Sequence, residues 1–251
     1  MKLIYAFRFL TIFRIPWKEG EDLSQVARSA ALFPLVGLFI GGSLLLISLA
    51  ASCIWTPLTV AAVVVVAWII VTGGLHLDGI ADTADGLLGG KDREERLLIM
   101  QDSRIGAFGV LAILSVVILK LVFILELPQT CRIWVILLAP VGARWFQVLA
   151  LAAYPAARKN GLGLFFKNRL RRREIFVALG IALICSLFFL QWQGFVLLFG
   201  TTLILLIPAS LLSSKLGGLT GDIYGTLTEL YELVFIVGAT LLPCPSPLMG
   251  S

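Results

Sequence analysis

Residues 57–86 read PLTVAAVVVVAWIIVTGGLHLDGIADTADG. From 57 to 74 there is no charged side chain, and the run approaches the ~20 apolar residues that an α-helix needs to cross a hydrocarbon core about 30 Å thick. The pair Gly73 and Gly74 ends it, and His76, Asp78, Asp82 and Asp85 follow at once. A span that opens directly into carboxylates puts polar chemistry at a bilayer surface.

The rest of the chain has the same character. Of its 251 residues, 59% are hydrophobic and 14% charged, with mean hydropathy +0.99, against roughly 25% charged residues in an ordinary soluble domain. These values exclude a soluble, disordered, collagenous, coiled-coil or disulfide-stapled secreted protein. They predict an all-α, polytopic membrane helix bundle, a single integral domain over 1–251. Seven segments are expected to cross: 33–54, 57–74, 106–127, 133–154, 175–190, 194–212 and 220–242. The arm 1–30 interleaves Lys2, Arg8 and Arg14 with aromatics and has no small-residue cleavage site; it reads as an interfacial helix, not a signal peptide. Cys53, Cys131, Cys185 and Cys244 show neither metal-site spacing nor a disulfide framework.

The net charge of +5 reports orientation and not a nucleic-acid partner. Five Lys and Arg residues lie in the N-terminal arm, four in 75–105, seven in the basic loop 155–174 and one in 213–219, while the alternating loops hold Arg132 alone. Positive charge gathers on the cytoplasmic side. The N-terminus and the 75–105 and 155–174 segments are therefore expected on the cytoplasmic face of an inner membrane, with the C-terminus opposite. Fourteen of the fifteen carboxylates follow that side or fall in the first turns of spans that begin there, Glu126 excepted. Membrane lipids are expected partners, and the run 169–173 suits anionic headgroups.

If 75–86 is helical, Asp78, Asp82 and Asp85, at i, i+4 and i+7, share one face. Crowded carboxylates repel, a divalent cation relieves the repulsion, and oxygen-only ligation suits Mg²⁺ or Mn²⁺ rather than zinc; a solvated acidic face is the plainer alternative. His76 is a general base, a metal ligand or an interfacial side chain, and with the three aspartates it forms the candidate catalytic set. In a second cluster, Gly217, Gly218, Thr220 and Gly221 open a helix whose N–H groups suit a phosphate. Asp222, Glu229 and Glu232 follow as further candidate metal ligands. Asp102 and Arg104 are candidate substrate contacts. Arg144, near mid-span, either pairs with a buried acid or lines the substrate cavity. Acids for metal, glycines for phosphate and arginines for charge fit phosphoryl-type transfer.

At GGLHLDGIADTADGL the chain resembles the cobalamin synthase family, the adenosylcobinamide-GDP ribazoletransferases. The likeness extends through FRFLTIFRIP near the start, FPLVGLFIG from 33, IMQDSRIGAFG from 99, LAPVGARW from 138 and GGLTGDIYGTLTELYE from 217. It implies a Mg²⁺-dependent membrane enzyme that joins a GDP-activated corrinoid to α-ribazole or its 5′-phosphate, with GMP leaving and a phosphodiester forming. Self-association, or association with other enzymes of late cobamide assembly, is a further expectation. CDP-alcohol phosphotransferases also string Asp and Gly along a span end, but Asp82 stands where their motif has arginine. A cation transporter would favour acids at mid-bilayer over acids at the cytoplasmic ends of spans.

Overall fold

A computed structural model describes residues 2–12, 27–158, 162–167 and 169–244. Helix α1 (Lys2–Leu10) buries Tyr5, Ala6 and Leu10 while Leu3 and Ile4 stay exposed, the two-faced pattern of an interfacial helix. The stretch 13–26 of the expected arm lies outside the described residues.

A 3-10 turn, Ser29–Leu32, leads into α2 (Phe33–Ser52), whose Pro34 occupies the first turn, where its missing N–H costs nothing. Helix α2 crosses α7 (Gln129–Ala153) so closely that a Cβ at Gly37 or Gly41 would run into the backbone of Pro140 or Leu137. Lipid tails are as apolar as leucine, so such small-residue contacts hold helices together where the hydrophobic effect cannot.

Helix α3 (Pro57–Thr72) and α4 (Leu75–Gly89) are bent by 88°. Gly73 and Gly74 make the corner with φ of 65° and 68°, left-handed values that only glycine adopts freely. Helix α4 therefore runs nearly perpendicular to the span before it. After the short α5 (Arg93–Ile99), capped by Asp92 accepting from the Glu95 N–H at 2.9 Å, comes α6 (Ala107–Glu126). Its Val110, Leu114, Ile118 and Val122 are exposed, a face for lipid, while Gly109, Val116, Lys120 and Ile124 are buried.

The short α8 (Leu162–Lys167) precedes α9 (Arg172–Leu216), which reverses at Gln191 (φ 51°, ψ −136°). Gly194 packs on the carbonyl of Ser186, although eight residues of straight helix would separate them by about 12 Å. The 45-residue run is thus a hairpin whose arms contain the expected segments 175–190 and 194–212. Helix α10 (Gly221–Thr240) is the bundle's axis, buried on most faces against α4, α6, α7 and α9.

By length and composition, four described helical runs can cross a bilayer, or five with the bent α3–α4 pair as one span. The polar residues of α10 keep it out of that set. All seven expected segments are nonetheless helical, in an all-α membrane bundle. The expectation for the cysteines needs correction: Cys131 and Cys244 form a disulfide with Cα atoms 5.6 Å apart. They are 113 residues apart in sequence and meet because the start of α7 and the end of α10 share one end of the bundle.

Candidate active site

The site is built on the crossing of α4 and α10. A Cβ on Gly79 would sit 2.5 Å from the Asp222 carbonyl oxygen, so only glycine permits this approach. Thr226 locks it, its hydroxyl donating to the Gly79 carbonyl at 2.8 Å and lying 2.8 Å from Thr83 Oγ1. Asp78 and Asp82, on either side of Gly79, are thereby brought towards Asp222. Gly79→Ala is expected to cost about 1–3 kcal/mol by forcing the helices apart, read as a lower Tm; an unchanged Tm would show that the crossing tolerates a methyl group.

Along the aspartate stripe burial rises from exposed Asp78, through Asp82, to buried Asp85. Asp85 accepts the N–H groups of Gly106 (2.7 Å) and Gly109 (2.9 Å), capping α6 at its positive end. Side chains at those two glycines would collide with its carboxylate, which explains why the DSRIGAFG segment pairs with the aspartate motif. Asp82 titrates high, its pKa pushed from 3.8 to about 6 by burial and then by Asp78, Asp222 and Asp85, against a smaller opposing pull from Arg158. Arg158, from the basic loop, lies 3.5 Å from Asp222.

Glu229 and Glu232 do not complete an acidic wall. They lie more than two turns into α10, not in its first turn, and are buried. Lys120 donates to Glu229 at 2.5 Å and to Glu232 at 2.6 Å, and Arg144 pairs with the other oxygen of Glu232. The four charges cancel, as burial at membrane depth demands. Lys120 Nζ also lies 4.3 Å from the Trp68 ring centroid, a cation–π contact. Sequence reasoning missed Lys120, although a lysine inside AFGVLAILSVVILKLVFILE was itself the signal. For Arg144 the pairing alternative holds: it is fully buried and does not line the cavity beside the aspartates.

His76, buried, turns Nδ1 towards Arg144 Nη2 at 3.5 Å. A guanidinium has only donors, so Nδ1 is the acceptor and the proton of the neutral ring sits on Nε2. That atom has no partner among the described residues, and His76 lines a cavity of about 220 Å³ with Asp78, Gln147, Gly221, Asp222 and Tyr224.

The glycine loop is only partly open. Gly217 ends α9 in the left-handed conformation (φ 69°), Gly218 donates to the Ser213 carbonyl at 2.8 Å, and Leu219 donates to Pro155 at 2.8 Å. Gly217 and Gly218 thus shape the connection instead of cradling a phosphate. Gly221, with open space where a Cβ would stand, faces the cavity at the start of α10, whose N-cap is Thr220. Asp102 and Arg104 pair with each other at 2.6 Å on the surface and do not line the cavity; the arginine's hydrogen bonds hold the Asp102 pKa down at about 2. Among the described residues, no three His, Cys, Asp or Glu side chains stand ready to enclose a metal ion. Asp85, Glu229 and Glu232 are held by protein partners inside the bundle; Asp78, Asp82 and Asp222, the last beside Arg158 and accepting from Thr220 at 3.2 Å, are the carboxylates whose charges act on one another towards the surface.

The family described as Cobalamin-5-phosphate synthase matches residues 2–240. An adenosylcobinamide-GDP ribazoletransferase of Desulfitobacterium hafniense (strain Y51) is 37% identical over 97% of this chain and 98% of its own length. Those of Roseiflexus sp. (strain RS-1), at 37% over 94% and 88%, and Chlorobium phaeovibrioides (strain DSM 265 / 1930), at 41% over 92% and 93%, are similar over comparable extents. No solved structure matches the chain significantly. With its aspartate, glycine and basic segments all inside the matched region, the chain belongs to the cobalamin-5-phosphate synthase family, a family of transferases of cobalamin biosynthesis.

Proposed function

We propose that the protein joins adenosylcobinamide-GDP to α-ribazole or its 5′-phosphate, releasing GMP and forming a phosphodiester in a late step of cobamide assembly. The names of its relatives support the substrates. The observation on this chain that carries the reading is the pairing of Asp78 and Asp222 on the cavity at the start of α10, with Asp82 near enough for their charges to raise its pKa.

Those three carboxylates suit Mg²⁺, which takes one or two carboxylates and completes its shell with water and substrate phosphates, without needing an all-protein cage. Bound there, the ion would neutralise charge on the diphosphate and on the departing GMP. The chain's own groups supply the rest. The N–H groups at Gly221 and the start of α10 favour a phosphate oxygen. His76 Nε2–H is available to donate to a substrate oxygen, and the oxygen of Asp78 that the ion leaves free, on the cavity wall, takes the proton of the attacking ribazole hydroxyl. We further infer that this site faces the cytoplasm of an inner membrane. The basic segments gather on its side, and the Cys131–Cys244 disulfide at the other end of the bundle suits an oxidising compartment.

The functional test is GMP release by the purified protein in lipid nanodiscs, which should require both substrates and Mg²⁺. The ion has its own test. Asp82 has a folded-state pKa of about 6, above its ordinary value of 3.8, so its ionisation opposes folding. Metal-free stability should fall as pH rises from about 4 through about 6. Mg²⁺ should therefore raise Tm more at about pH 7.5 than at about pH 5.5, and Asp82→Asn should erase the difference. A Mg²⁺ effect independent of both pH and Asp82 would place the ion elsewhere.

A further inference from the structure

Three residues that line the cavity beside Asp78 and Asp222 each carry a buried polar atom with no partner among the described residues: His76 Nε2, Gln147 Oε1 and Tyr224 Oη. Their residues are 2%, 5% and 4% exposed. Unpartnered polar atoms inside a protein are costly, and three around one cavity describe a ligand by its complement: an acceptor for His76, a donor for Gln147 and either for Tyr224. Leu75, Leu151 and Phe166 supply apolar wall. Among the described residues no lysine or arginine lines the space, and two carboxylates stand at it, so a diphosphate is disfavoured inside. A volume of about 220 Å³ equals some seven waters at roughly 30 Å³ each. That accommodates a flat ring system and excludes a corrin macrocycle.

Resting on the transfer reading above, we propose that this cavity is the subsite for the ribazole nucleoside, with Gln147 and Tyr224 as its specificity-determining residues. An N-linked imidazole-type ring is flat, uncharged and keeps one ring nitrogen as an acceptor, and its sugar hydroxyls donate and accept. The ring packs against Phe166 and Leu151, and a sugar hydroxyl is presented towards Asp78. The GDP-activated corrinoid stays outside, against the carboxylates and the start of α10.

The test separates the two substrates. Gln147→Leu and Tyr224→Phe should each raise KM for α-ribazole about tenfold, the loss expected for one buried hydrogen bond, with KM for adenosylcobinamide-GDP unchanged. Leu151→Trp, which fills the cavity, should abolish calorimetric binding of α-ribazole while adenosylcobinamide-GDP still binds. If the variants raise only the corrinoid KM, or both KM values in step, or leave α-ribazole binding intact, the assignment of this cavity is overturned. Failure of the wild-type protein to release GMP from the two substrates would instead overturn the transfer reading itself.

Discussion

Lys120→Met is expected to destabilise the protein by about 3–5 kcal/mol, the usual cost of stranding a buried charge. In the native bundle Lys120 and Arg144 balance Glu229 and Glu232 at membrane depth, all four side chains being at most 5% exposed. Methionine fills the volume of the lysine stem but leaves two carboxylates facing one guanidinium, where water cannot reach them. The loss should therefore depend on charge balance and not on packing. Adding Glu229→Gln to Lys120→Met restores neutrality around the Arg144–Glu232 pair and should recover most of the Tm. The double-mutant cycle reads that coupling directly; two equal, additive losses would mean that the quartet is not an electrostatic unit. Because Arg144 faces His76 Nδ1, surviving Lys120→Met protein should also show reduced turnover.

Asp82→Asn is expected to lower turnover at least about 100-fold, since the neutralisation of developing phosphate charge is worth several kcal/mol. The same substitution should leave Tm equal or higher. Burial and three neighbouring aspartates oppose the charge of Asp82, and asparagine removes that repulsion while keeping the shape. Opposite movements of activity and stability are what a functional carboxylate held against its environment produces. Near-normal turnover by Asp82→Asn at low Mg²⁺ would reduce the stripe to a solvated helix face and move the search for the metal to Asp222.

The membrane class, the helical segments and the aspartate stripe were legible because each is a local pattern: apolar runs of span length, and acids spaced i, i+4, i+7. What followed from tertiary contact was not. The stripe shows that Asp78, Asp82 and Asp85 share a face, but not that α6 brings two backbone amides to Asp85 and removes it from the solvent-facing set. Glu229 and Glu232 read as site ligands because they follow a glycine loop. Their partner Lys120 lies 109 and 112 residues away, and no periodicity reports it. The same holds for Cys131 and Cys244. Gly217 and Gly218 carry a phosphate-loop composition, yet their position between α9 and the 155–157 backbone uses them for a turn.

The claim that these residues assemble a single-step transfer is tested most directly by isotope labelling. Purified protein in nanodiscs would be given adenosylcobinamide-GDP, Mg²⁺ and α-ribazole carrying ¹⁸O in its sugar hydroxyls, with GMP and the corrinoid product analysed by mass spectrometry. Direct attack by the ribazole hydroxyl on the corrinoid-side phosphorus predicts one GMP per phosphodiester, with the label retained in the product and absent from GMP. GMP formed without α-ribazole, or a product that has lost the label, would contradict it.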